Sequence, residues 1–200
     1  MDTMDATTTT DPTMDAISKA VALGHTGDAA SAQRDLLEIW DRIGAAGDPF
    51  HRCTLAHYLA DLYDNPAQAL VWDIRALDAA AALTDERTGQ HHDGLRVAGF
   101  YPSLHLNIAD DLRRLSAFDA AAEHIRTAER HAAALSDDAY GDMIRTAIVE
   151  VGAAIESRDT DPRASALASP AEPAGRYCCA GATTLNVIGA DSFSPILPIA

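Results

Sequence analysis

Tyr101-Pro-Ser-Leu-His-Leu-Asn-Ile-Ala-Asp-Asp-Leu-Arg-Arg-Leu-Ser-Ala-Phe-Asp-Ala-Ala-Ala-Glu-His-Ile125 is the stretch whose reading decides the fold. Leu104, Ile108, Leu112 and Leu115 fall at the spacing of one helical face. Ser116-Ala117 then interrupts the pattern, and Ala121, Ile125, Ala128, Ala132 and Leu135 resume it. Two helices joined by so short a turn run antiparallel and bury their apolar faces against each other.

The same reading extends in both directions. Residues 15–25 carry Ile17, Ala20, Val21 and Gly24 ahead of a Gly27-Asp28 turn, and residues 29–44 place Ala32, Leu36, Ile39, Trp40 and Ile43 on one stripe. Asp48-Pro49 opens a third segment as a cap with proline just inside the helix. Leu55, Leu59 and Leu62 run from there to the Asp64-Asn65-Pro66 break, after which residues 67–83 continue with Leu70, Ile74 and Leu77. Tyr140, Ile144, Ile148, Val151 and Ile155 mark a closing helix from about Asp138 to Glu156. Thr84 to Gly99, with His91, His92 and Gly94, is weakly helical and reads as a short helix or an extended first turn of the helix that follows. The expectation is all-α: antiparallel helix pairs over residues 14–157, stacked because no pair alone buries both of its apolar faces.

The flanks read differently. Residues 1–13 include four consecutive threonines and no apolar period, so burial there cannot offset the entropy of ordering and a disordered leader is expected. Residues 158–200 begin rich in Pro, Ala, Asp and Ser and read as a low-order tail. The strand-prone run Thr183-Thr-Leu-Asn-Val-Ile-Gly within it is not a stable unit by itself.

Composition narrows the function. Two hundred residues suit one domain with tails. Thirty acidic against 15 basic side chains leave a net charge of −15, which opposes the attraction to phosphate that drives nucleic-acid binding. Neither an apolar run of about 18 residues nor a secretory start is present, so a cytoplasmic protein without a membrane segment is expected. Three cysteines, two of them adjacent at Cys178 and Cys179, form neither a spaced disulfide framework nor a zinc ribbon. Lys19 is the only lysine among 15 basic residues, which together with abundant alanine suggests a GC-rich bacterial genome.

Internal repetition is visible when the Gly27-Asp28 turn is aligned with Ser116-Ala117. Ala32 then falls on Ala121, Leu36 on Ile125 and Ile39 on Ala128, and Ala69 with Ala76 repeats the seven-residue separation. On these residues the chain resembles the tetratricopeptide repeat family. Ala32, Ala69 and Ala121 fit the family's alanine at the start of the second helix, Leu23 and Leu112 its large residue late in the first, and Leu115-Ser-Ala-Phe-Asp-Ala-Ala121 its turn. Departures are the 37 residues from Ala32 to Ala69 and the 52 from Ala69 to Ala121, and Lys19-Ala20 and Ile108-Ala109 in place of the family's leucine-glycine pair. Tyr101 to Ala109 is also similar to a segment of bacterial, especially actinobacterial, proteins of this repeat type. The resemblance implies a concave surface lined by the first helix of each pair, where a partner peptide or helix docks. Its residues here are Ile17 and Val21, then Phe50, Cys53, His57 and Asp61, then Leu106, Asn107, Asp110, Arg113 and Arg114.

Sharper chemistries find less support. Arg113-Arg114 suits bidentate pairing with carboxylates of a partner, but Asp110 and Asp111 stand ready to neutralise the pair on the surface. His91, His92 and His105, or His124 and His131, lack a recognised zinc-ligand spacing, so no metal is expected. Cys53 and His57 lie one turn apart, yet a cysteine among Leu55 and Leu59 reads as a small core residue and no catalytic residue is assigned. Gly24-His-Thr-Gly27 is no phosphate loop, and no nucleophile elbow occurs. Trp40 and Trp72, on the second helices of successive pairs, read as core. The expected function is a non-enzymatic protein-interaction module without cofactor. The competing reading is a helical sensor that binds a small effector in the same concavity.

Overall fold

A computed structural model describes residues 11–91 and 95–163. Residues 1–10 of the expected leader over residues 1–13, and residues 164–200 of the expected tail, lie outside the described residues. Within the described residues the chain is all-helical, and six of its eight α-helices start where a short polar side chain takes over unpaired amides of the first turn. Helix α1 (Pro12–His25) is capped by Asp11, α2 (Ala29–Ile43) by Asp28, α3 (Pro49–Asp61) by Asp48 and α4 (Pro66–Ala80) by Asn65. Pro12, Pro49 and Pro66 each occupy the first helical position, where a missing N–H costs nothing. The expected leader boundary therefore moves: helix begins at Pro12, because Asp11-Pro12 is itself a cap.

The weakly helical stretch resolves into α5 (Asp85–Gly89), capped by Thr84, and a single 3-10 turn at Val97–Gly99. Helices α6 (Tyr101–Arg114) and α7 (Phe118–His131) form the pair read from the sequence, and α8 (Ala139–Glu156), capped by Asp138, closes the stack. Within pairs, α1 packs on α2, α3 on α4 and α6 on α7. Between pairs, α2 meets α3, α4 meets α6, and α8 covers both α6 and α7.

Small residues set the closest approach. A Cβ placed on Gly24 would sit 3.4 Å from the Ala32 Cβ and 3.5 Å from Leu62 Cδ2, so α1 and α2 meet where neither carries bulk. The pair-joining turns share one geometry. Gly27 (φ +96°) and Ser116 (φ +62°) each end a helix in the left-handed conformation. In both, the next amide bonds five residues back, Asp28 to Leu23 and Ala117 to Leu112. Arg158 (φ +54°) repeats this at the end of α8.

The interior has two apolar clusters. Met14, Ile17, Leu36, Ile39, Phe50, Leu55, Leu59, Trp72, Phe100 and Leu104 belong to the first, and Leu106, Ile125, Leu135, Tyr140, Ile144, Ile148, Val151 and Ile155 to the second. Helix α6 supplies both. Trp40 and Trp72 meet edge to face at 5.1 Å, with the Arg75 guanidinium 4.2 Å from the Trp72 ring.

Candidate functional site

The first helices of the second and third pairs, α3 and α6, carry the side chains expected to face a partner. Helix α3 packs against α1, α2 and α4, and the eight consecutive buried positions from Cys53 to Ala60, with Phe50 buried ahead of them, leave almost no solvent-facing stripe. A helix enclosed on every side buries its polar positions together with its apolar ones. His57 is accordingly buried, its Nδ1 3.8 Å from Asp73 Oδ1 on α4. Helix α6 is enclosed by α4, α7 and α8, so Ser103, Asn107, Asp110, Asp111 and Arg113 are all buried with it.

The expected concave lining is therefore corrected residue by residue. Ile17, Phe50, Cys53 and Leu106 belong to the apolar clusters, and His57, Asn107, Asp110 and Arg113 are buried polar groups; none of these eight is an exposed lining residue. Val21, Asp61 and Arg114 are half-buried. The expected lining followed from the resemblance, which assigns the first helix of each pair to an open face, whereas here α3 and α6 are enclosed by their neighbours. Arg113 and Arg114 do not act as a surface pair either. Arg114 Nη2 donates to the Asp64 carbonyl at 2.8 Å, linking α6 to the turn between α3 and α4.

Arg113 is fully buried, and its guanidinium joins two parts of the chain. Nε and Nη2 donate to Asp110 Oδ1 at 3.1 and 2.8 Å, one helical turn back. Nη1 donates to the Asp159 carbonyl at 2.7 Å and Nη2 to the Asp161 carbonyl at 2.9 Å. Arg163 then places Nε 3.6 Å from the same Asp110 oxygen and Nη1 4.0 Å from Glu150. The left-handed turn at Arg158 redirects the chain so that residues 159–163 lie on α6. The first six residues assigned to the tail are thus seated on the domain. No local signal in the sequence announces this, because Arg113 and its acceptors are 46 and 48 residues apart.

A second polar cluster ties helix starts together. Arg87 Nε donates to Asp48 Oδ2 at 2.8 Å and Nη2 to Asp11 Oδ2 at 3.2 Å, while His51 Nε2 lies 2.7 Å from that same Asp11 oxygen. Burial pushes the two carboxyls up, but the bonds from His51 and the Met14 amide to Asp11, and from Arg87 and the His51 amide to Asp48, outweigh it and hold both below the ordinary carboxylate value. The caps of α1 and α3 are also the ion-pair partners of α5.

The histidines separate. His91 packs on the Phe50 ring at 5.0 Å, and His92 lies outside the described residues. His105 pairs with His124 and His131 across α6 and α7. Among the described residues no three His, Cys, Asp or Glu side chains are arranged to hold a metal ion. No described helix is long and apolar enough to cross a membrane. Compared with family models, curated proteins and solved structures, the chain matches none.

Proposed function

We propose that this chain is a non-enzymatic protein-interaction module of the cytoplasm, similar to tetratricopeptide repeats, whose α6 face reads a non-helical peptide segment. One observation carries the reading. Arg113 donates to main-chain carbonyls two residues apart, at Asp159 and Asp161, while Asp110 faces the guanidinium of Arg163. Main-chain bonds that accept any sequence, combined with one charged side-chain contact that sets register, are how a groove recognises a peptide. Rigidity supports it as well, since Arg113 is held by Asp110 before a ligand carbonyl arrives.

Residues 159–163 are then the resident occupant, and a partner segment competes with them. The net charge of −15 favours a basic partner. A partner peptide places an arginine where Arg163 stands, two residues beyond the second carbonyl that Arg113 binds.

The test uses a fluorescent peptide with the sequence of residues 157–163 and the full chain carrying Arg163→Ala, which weakens the resident segment's hold. Anisotropy should report saturable binding to R163A, much weaker binding to the parent, and loss of binding when Asp110→Asn is added. Absence of binding to R163A in a folded sample, checked by circular dichroism, would overturn the reading.

A further inference from the structure

His105 on α6 and His124 on α7 meet through their Nδ1 atoms at 2.9 Å. Their ring centroids are 5.1 Å apart, so the rings approach nearly end on. His131, two turns beyond His124, stacks parallel to His105 at 6.3 Å and lies against Tyr101 at 5.1 Å. All four rings are half-buried in the seam between the two helices.

Two nitrogens 2.9 Å apart and facing each other hold one hydrogen between them. One ring donates Nδ1–H and the other accepts, which requires that at least one Nδ1 be unprotonated. A metal ion does not fit this arrangement. Histidine nitrogens bind zinc tetrahedrally at about 2.0–2.1 Å, which sets two nitrogens on one ion about 3.3 Å apart, wider than the separation here.

We propose that the His105–His124 pair, flanked by His131, is a proton-operated latch that holds α6 against α7 when it shares one hydrogen and releases it when both Nδ1 atoms are protonated. A first added proton is accommodated, because an imidazolium at His124 still donates to a neutral His105. The second leaves two N–H groups and two positive charges opposed at 2.9 Å, and the seam must open.

The surroundings favour the neutral ring. Burial first, then the charges of His124, His131 and Arg130, hold His105 down to about 4, and burial lowers His124, against which the Glu123 carboxylate works. Tyr101, on the same face of α6, brings no charge. Asn107, Asp110 and Asp111 follow His105 by two, five and six residues. At 3.6 residues per turn they lie around the other side of the helix, where Asp110 meets Arg113.

The sign follows from linkage. A histidine whose folded value is depressed binds its proton more readily in the unfolded chain. The latch's contribution is complete above about pH 6.5 and is lost as pH falls toward the folded values. Asp11 and Asp48, held below the ordinary carboxylate value, begin to lose their contribution only at the acid end of this window. The inference does not depend on partner binding.

The test is carried out on the full chain. Histidine Cε1–H resonances should show His105 and His124 titrating in two separate steps below the ordinary histidine value. Amide exchange in α6 and α7 near residues 105 and 124, corrected for the intrinsic pH effect, should accelerate at least tenfold between pH 7 and pH 4.5. His105→Gln and His124→Gln should each flatten that acceleration, whereas His25→Gln, at the exposed end of α1, should leave it unchanged. Ordinary midpoints for the pair in the parent, or an acceleration that survives in both seam variants, would overturn the proposal. The parent titration needs no variant to fold.

Discussion

Arg113 donates four hydrogen bonds among the described residues, two to the buried Asp110 carboxylate and two to the main-chain carbonyls of Asp159 and Asp161. A buried guanidinium is tolerated only when its donors are matched, because an ion pair in the interior gives back little beyond what desolvation costs. Removing one partner is another matter, since it strands the other charge. Arg113→Ala should therefore destabilise the fold by about 3–5 kcal/mol in urea unfolding, a large share of the roughly 5–15 kcal/mol that holds a domain together. Arg113→Lys keeps the charge but replaces a planar fork with a point donor, so it should recover only part of that loss. Equal stability of the Ala variant and the parent would mean that the carbonyls of Asp159 and Asp161 are readily satisfied by water and that residues 159–163 are not anchored by Arg113.

At the scale of the element, the turns that join helices within the first and third pairs test how backbone conformation is distributed. Gly27 and Ser116 occupy the same position of the same cap, but only one of them is the residue the conformation favours. A Cβ on Gly27 would meet nothing within 4 Å, so Gly27→Ala isolates the backbone cost and should lower stability by about 1–2 kcal/mol. Ser116→Gly should act in the opposite direction, by a smaller amount because glycine also gains freedom in the unfolded chain. Chemical denaturation of both variants checks the pair, and equal signs would refute the shared geometry. These turns were legible from the sequence, as were the Asp48-Pro49 and Asn65-Pro66 starts, because caps and helical period are local chemistry. The candidate site was not. Asp110 and Arg113 look like solvent-facing groups until α4, α8 and residues 159–163 are packed around α6. Arg87 gives no hint in a weakly helical stretch that it binds the caps of α1 and α3, 76 and 39 residues away.

Across the whole molecule, stacking governs how the parts share stability. Short stacks of helix pairs gain stability from each interface as well as from each pair, and a long array can melt piecewise. Here the two apolar clusters meet in a single helix: Leu104 belongs to the first and Leu106, half a turn further on, to the second. Neither cluster can come apart without exposing part of α6, and α4 and α8 hold that helix from different sides. One cooperative transition is expected. Trp40 and Trp72 report only on the first cluster, since both lie in α2 and α4, while helical circular dichroism reports on all pairs. Leu106→Ala removes a fully buried side chain from the second cluster and should cost about 2–5 kcal/mol. If α6 couples the clusters, the tryptophan fluorescence transition should move to lower denaturant by the same amount as the dichroism transition, although neither tryptophan belongs to the altered cluster. A fluorescence midpoint that stayed in place while the dichroism curve split in two would instead mark the α4–α6 contact as a boundary between independently folding halves.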